Sequence, residues 1–211
     1  DLTIVEEATE LLSRVEKGGP LPLITSCSPG WIKYCEHYFP EMTENLSTCK
    51  SPQQMFGALM KTYFAKKEGI DPADIVMVSA IPCTAKKFEV GRPDQSAAGV
   101  PDVDIAVTTR EVGRMIKRAG INFRALPDEK FDAPFSKGSG AGVIFGATGG
   151  VMEAALRFAA EVILGKKLEQ VEFPEVRGTE GIKFASYRLG EMTVNVAVAS
   201  GTKNAKELLR R

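Results

Sequence analysis

Residues 75–89 read Ile-Val-Met-Val-Ser-Ala-Ile-Pro-Cys-Thr-Ala-Lys-Lys-Phe-Glu, a short apolar run that passes through a proline into a loop bearing Cys83. A run of this length suits a strand better than a helix, and without polar alternation it reads as a strand buried on both faces. The stretch before it completes the unit: Ser51 and Pro52 start a helix, Met55, Leu59 and Tyr63 mark its apolar face, and Gly69 stops it. A helix handing over to a buried strand is the repeat of an α/β sheet, and ligands in such sheets gather beyond the strands' carboxyl ends, where Cys83 stands.

The same arrangement recurs upstream. Residues 21–25 are a second short apolar strand, emptying into Ser26-Cys27-Ser28-Pro29-Gly30-Trp31, so a second cysteine follows a second strand. Ahead of it, Ile4, Val5, Ala8, Leu11, Leu12 and Val15 follow helical spacing, with Thr3 and Glu6 placed as a capping box and Gly18-Gly19 at the end. Downstream, a strand is predicted over 103–107, a helix over 109–119, a polar loop over 127–137, a glycine-rich segment over 138–150 and a helix over 151–164. Strands near 171–176, 182–189 and 192–199 and a helix over 203–210 close the chain.

Composition narrows the function classes. With 211 residues, 44% of them hydrophobic, the chain supports a substantial core or two small lobes and is far too apolar for disorder. Lys plus Arg and Asp plus Glu each number 27, so the net charge is zero and neither nucleic acid nor an acidic membrane is implied as a partner. No run is long and apolar enough to span a bilayer and the first residues do not read as a signal peptide, which makes the cytoplasm the expected address. The four cysteines, at 27, 35, 49 and 83, form no CxxC pair and are too sparse for a disulfide scaffold. Reduced thiols or metal ligands remain.

Each candidate has a plain structural reading beside the functional one. A single cysteine is most often a small buried hydrophobe, but the proline beside each of these two loops holds the backbone open for a thiolate to meet a soft metal. Six glycines between 138 and 150 resemble a phosphate cradle, yet no GxxxxGK[ST] or strand-coupled GxGxxG is present, so close approach to a bulky group or tight packing accounts for them better. Glu7, Glu10 and Arg14 share a helix face opposite the apolar stripe and read as a solvated face, or as stacked groups able to pass protons. Lys86 and Glu89 read as an ordinary surface pair, and His37 as no catalytic base.

Taken together, these segments resemble the iron-only hydrogenases. One family signature, Thr-Ser-Cys-Cys-Pro-x-Trp, falls on Thr25-Ser26-Cys27-Ser28-Pro29-Gly30-Trp31, and another, Met-Pro-Cys-x-x-Lys-x-x-Glu, falls on 81–89 with Ile81 in place of methionine. Ser51-Pro52-Gln53-Gln54 and the run from Gly142 to Glu153 are similar to family sequence as well.

The resemblance implies an α/β fold of two small sheet-and-helix lobes flanking a metal-cluster cleft. It also implies reversible reduction of protons to dihydrogen at a [4Fe-4S] cubane linked to a di-iron subsite, together called the H-cluster. By similarity Cys83 is a cubane ligand, Lys86 holds an anionic diatomic ligand of the subsite, and Pro82, Phe145 and Gln53 line the pocket. The proton route falls on Cys27, Glu10, Ser47, Glu7 and Arg14, in that order. Ser28 stands where the family has a second cysteine, a harder and less acidic donor, so either Ser28 ligates or Cys27 substitutes for it.

No third cysteine signature and no separate ferredoxin-like domain is found. Residues 1–211 are therefore expected to be a central fragment of the catalytic domain, inactive alone, holding at most an incomplete cluster and exposing surface that favours a non-native dimer. Electrons would come from ferredoxin or NAD(P)H-linked subunits. The rival reading is a non-catalytic relative, a hydrogen sensor or an iron–sulfur assembly factor.

Overall fold

A computed structural model describes residues 1–133, 135, 137–165, 181–189 and 192–211. The helices are α1 (Leu2–Lys17), α2 (Pro29–Tyr38), α3 (Pro52–Leu59), α4 (Ala65–Glu68), α5 (Ala85–Glu89), α6 (Thr109–Arg118), α7 (Gly140–Phe145), α8 (Gly150–Leu164) and α9 (Thr202–Leu209). The strands are β1 (Val78–Ala80), β2 (Ile105–Val107), β3 (Ile182–Leu189) and β4 (Met192–Ala199). They form two two-stranded sheets, β1–β2 parallel and β3–β4 antiparallel. The expected strand near 171–176 lies outside the described residues.

The chain divides into two units, the first comprising Asp1–Ser26, Trp31–Cys49 and Lys137–Arg211, the second Cys27–Gly30 and Lys50–Ser136. In the first, α8 buries two faces. Leu156 and Ala160 pack with Leu11, Ala185, Tyr187, Val194, Val196 and Val198, while Ala155 and Ala159 meet Ala8 and Leu12 of α1. Small residues at the α1–α8 contact let the helix axes approach closely. α1 ends at Gly18, whose left-handed φ of 69° closes the last turn by a bond to the Arg14 carbonyl.

In the second unit, β1 crosses to its parallel neighbour β2 through α5, in register Val78↔Ile105 to Ala80↔Val107. Asp104 fastens the entry to this pair, its carboxylate accepting from Lys61 Nζ at 2.7 Å and from the Met77 N–H at 2.7 Å. Lys61 is buried within a π-helical turn, Met60–Phe64, that joins α3 to α4. α6 begins with a complete capping box between Thr108 and Glu111.

Several expectations are corrected. Residues 21–25 do not form a strand; only Ile24 makes a parallel bridge, to Leu46, because Pro22 interrupts the donor pattern. The run at 75–80 is a strand only from Val78, and Val76 and Val78 are 66% and 54% exposed rather than buried, since no described third strand or helix covers that face. The Thr3–Glu6 capping box does not form: Asp1 precedes α1 and Thr3 lies inside it. The helix predicted to run unbroken from 52 to Gly69 contains the π turn, and much of the glycine-rich segment is itself helical, as α7.

One buried side chain in the second unit stands out. Gln54 is fully buried, and neither its amide oxygen nor its nitrogen has a hydrogen-bond partner among the described residues. An unmatched buried amide costs about 1–3 kcal/mol. Gln54→Met, of similar volume and without the polar atoms, is therefore expected to raise stability by about 1 kcal/mol, measured by denaturant unfolding.

Candidate functional site

In the first unit, α1 places Glu7, Glu10 and Arg14 on one face, and the Ile24–Leu46 bridge brings residues 47–49 beside it. The face is not solvated: Glu7 is 3% and Arg14 8% exposed. Arg14 grips Glu10 with two donors, Nη2 at 2.6 Å and Nε at 3.0 Å from Oε1. Its other guanidinium hydrogens meet the carbonyls of Pro20, Glu44 and Leu46 at 3.0, 3.2 and 2.8 Å. The guanidinium thus ties the end of α1 to the segment that follows α2.

Glu10 collects further donors: the Ser47 hydroxyl at 2.9 Å, the Thr48 N–H at 3.0 Å, the Thr48 hydroxyl at 3.1 Å and the Cys49 thiol at 3.4 Å. Burial opposes its charge, but the Thr48, Ser47, Arg14 and Cys49 bonds outweigh it and hold the carboxyl below its ordinary pKa. Glu7 behaves oppositely. Burial, reinforced by the Glu10 charge and only partly offset by Ser47 and Arg14, pushes it up to about 7. Burial, then the Glu7 and Glu10 charges, push Cys49 up to about 12 against the Ser47 bond, so it persists as a thiol that donates.

Ser47 is the hinge between the carboxylates. Its oxygen accepts the Cys49 N–H at 3.1 Å, and its single hydroxyl proton goes to Glu10 while Glu7 lies within reach. One carboxylate that stays ionised, a hydroxyl bonded to it and a second carboxylate near that hydroxyl, which takes up and releases its proton around pH 7, form a set of groups suited to proton movement. The order differs from that expected: Arg14 is bonded to Glu10, so the sequence of groups is Glu7, Ser47, Glu10, Arg14. Glu10 also lines an open pocket with Glu6, Thr9, Ser13, Glu44 and Thr48.

In the second unit, Lys86 brings the two cysteine turns together. Cys83 is exposed in the loop leading to α5, and Lys86, three residues on, donates from Nζ to the Cys27 carbonyl at 2.9 Å. The same ammonium meets Glu89 Oε1 at 3.0 Å and Oε2 at 3.1 Å. Lys86 and Glu89, 6% and 4% exposed, are a buried pair and not the surface pair their spacing implied. Glu89 Oε2 accepts in turn from the Ser51 hydroxyl at 2.8 Å and Gln53 Nε2 at 3.0 Å, and Gln53 Oε1 accepts from the Ser79 hydroxyl of β1 at 2.6 Å.

Among the remaining candidates, Pro82 and Ser28 are exposed beside their cysteines, and Phe145 is half-buried in α7 of the first unit. Sequence reasoning missed Thr48 and Cys49, because nothing in their types marks them before the Ile24–Leu46 bridge sets them against α1. It undervalued Glu89 and Ser51, although the two glutamines that follow Pro52 in a helix start were a visible polar excess.

The donors decide how these turns suit an iron–sulfur cluster. Cys83 offers an accessible soft thiol and Cys27 a half-buried one, whereas Ser28 offers a hard hydroxyl. No described group of three or more His, Cys, Asp or Glu side chains is placed to hold a metal ion. These residues supply two soft donors and one hard one, and Lys86, on the helix that follows Cys83, bonds to the Cys27 carbonyl.

The whole chain, residues 1–211, matches the family model described as iron only hydrogenase large subunit, C-terminal domain. It is 51% identical to the NADP-reducing hydrogenase subunit HndD of Solidesulfovibrio fructosivorans, covering 100% of this chain and 37% of that one. It is 50% identical to the periplasmic Fe hydrogenase large subunit of Nitratidesulfovibrio vulgaris, covering 99% and 50%. An apo FeFe-hydrogenase from Chlamydomonas reinhardtii superposes with a TM-score of 0.81 at 41% identity, covering 99% of this chain and 60% of that one. A more distant relative, cytosolic iron-sulfur assembly component 3 of Pongo abelii, is 32% identical over 90% of this chain and 41% of its own length.

Proposed function

Because the chain belongs to the iron-only hydrogenase family, matching the C-terminal domain of its large subunit, we propose that it forms part of the catalytic domain of a protein that interconverts protons and dihydrogen at an H-cluster. The observation that supports this reading is the Lys86–Cys27 bond at 2.9 Å, which joins the helix following Cys83 to the Cys27 turn within the second unit. Residues 1–211 are read as one segment of a single catalytic domain.

In this reading Cys83, with Ser28 or Cys27, would hold the [4Fe-4S] cubane, and Pro82, Gln53 and Phe145 would line the pocket. The bound cluster supplies the two-electron chemistry. Lys86 would meet an anionic diatomic ligand with a charge-assisted N–H donor, while the Cys27 thiol would pass protons. Glu7, Ser47 and Glu10 would carry them to the pocket that Glu10 lines, with Arg14 fixing Glu10 in its ionised form. Each hop needs a donor and an acceptor in hydrogen-bond reach, which the Ser47–Glu10 distance of 2.9 Å meets.

Ferredoxin or an NAD(P)H-linked subunit is the proposed electron donor, the latter in keeping with the name of the NADP-reducing relative. No helix among the described residues is long and apolar enough to cross a membrane. A cytoplasmic address is proposed for this protein, although one relative is named as periplasmic.

A non-catalytic iron–sulfur assembly role is the second reading, favoured by Ser28 and by the assembly-component relative. Ser28→Cys in the full-length protein, matured anaerobically with its clusters, separates the two. Hydrogen evolution from the parent, or restored by Ser28→Cys through a soft ligand in place of a hard one, supports the enzyme. Evolution from neither, with clusters present by iron and sulfide analysis, supports the assembly role.

A further inference from the structure

Lys86 is flexible by nature: four rotatable carbons carry its charge, and an ammonium left alone in a buried site would turn to any acceptor. Here its direction is fixed. Glu89 lies one helical turn along α5 and presents both oxygens to Nζ, at 3.0 and 3.1 Å. Glu89 could itself swing, but Oε2 is held by Ser51, the N-cap of α3, and by Gln53, whose other amide atom is held by Ser79 of β1. The carboxylate is thereby anchored to a helix start and a strand. Among the described residues its other partner is the Lys86 ammonium, whose third contact is the Cys27 carbonyl, at 2.9 Å.

We propose that Glu89 is a positioning residue: anchored by Ser51 and Gln53, it aims Lys86 so that the ammonium holds the Cys27 turn in place beside the ligand that Lys86 would meet. The ligand half of this statement rests on the hydrogenase reading; the Cys27 half does not. Charge matters as well as shape, because a neutral amide in place of Glu89 leaves Lys86 as an uncompensated buried cation, which then reorients towards solvent.

Two measurements on the full-length protein test this, with Glu89→Gln, Glu89→Asp, Lys86→Met and the Lys86→Met/Glu89→Gln pair. In protein prepared without clusters, iodoacetamide labelling of Cys27 is followed by mass spectrometry, with buried Cys35 as the reporter of general opening. Loss of a charge-assisted bond is expected to raise Cys27 labelling about tenfold in Glu89→Gln and in Lys86→Met, with Cys35 unchanged. Glu89→Asp keeps the charge and should show a smaller rise, and the pair should not exceed either single change.

An unchanged rate in Glu89→Gln, multiplied effects in the pair, or a parallel rise at Cys35 would each overturn the proposal. In cluster-loaded protein, infrared bands of the bound diatomic ligands are expected to move in the same direction in Glu89→Gln as in Lys86→Met; unmoved bands in Glu89→Gln refute the ligand half. Absence of such bands in the unmodified protein defeats the hydrogenase reading instead, and labelling alone then judges whether Glu89 aims Lys86.

Discussion

Glu7→Gln is expected to lessen the loss of stability between pH 5 and pH 8 by about 1–3 kcal/mol and, under the proposed hydrogenase function, to slow hydrogen turnover of the full-length protein by about 10²–10⁴-fold. Both effects have one cause. Glu7 is 3% exposed, and burial pushes its carboxyl up to about 7 from an ordinary 4.5. Between those two values the native state keeps a proton that the unfolded chain has released, so the contribution of Glu7 to stability is full below pH 4.5 and falls away as the pH rises through about 7. Each factor of ten in proton affinity is worth about 1.4 kcal/mol, which puts the loss at about 3 kcal/mol above pH 7.

A neutral amide of the same shape does not incur that loss. It also cannot take up and release a proton, so the path to Ser47 and Glu10 is broken at the group best matched to neutral pH. Urea unfolding at pH 5 and pH 8 checks the first effect, and hydrogen evolution checks the second. A stability gain equal at both pH values would mean that Glu7 is not protonated in the native state, and undiminished turnover would remove it from the route. Glu10 should respond in the opposite sense. Its carboxyl is held below the ordinary value, so its contribution is present above that value and lost as the pH falls.

This pair also shows what a sequence can disclose. The spacing of Glu7, Glu10 and Arg14 places them on one helix face, and that much was legible; which of them is buried was not, because α1 is covered by segments distant in sequence, 44–49 and α8. Glu7 and Arg14 therefore lie against protein while Val5 and Val15 of the apolar run are exposed, and periodicity alone assigns them the other way round. The cysteine loops were legible as loops after apolar runs. The strand lengths were not, since a single Pro22 reduces one run to a bridge at Ile24 and Asp104 sets the start of β1 by capturing the Met77 N–H. Lys86 and Glu89, at a spacing typical of a surface pair, gain their meaning only from Ser51, Gln53 and Cys27, which approach from other elements.

Gly57→Ala is expected to destabilise the second unit by about 2–4 kcal/mol, more than its single added carbon implies. A Cβ at Gly57 would lie 2.3 Å from the Asp102 carbonyl oxygen, 2.7 Å from its carbon and 2.8 Å from Val103 Cγ2. Backbone, not a flexible side-chain end, stands in the way. Nor can Asp102 retreat: its N–H donates to the Gln95 carbonyl at 2.9 Å, its carboxylate accepts the Ala97 N–H at 2.8 Å, and Lys50 pairs with its other oxygen. The strain must therefore move α3, which carries Ser51 and Gln53 and through them Glu89 and Lys86. The melting temperature should fall by about 10 °C, and Cys27 labelling should rise with it. Gly113→Ala supplies the contrast, because a Cβ there meets nothing within 4 Å in the middle of α6, and helix propensity alone should then add about 0.5–1 kcal/mol. Equal effects from the two alanines would show that close approach of α3 to Asp102 does not hold this unit together.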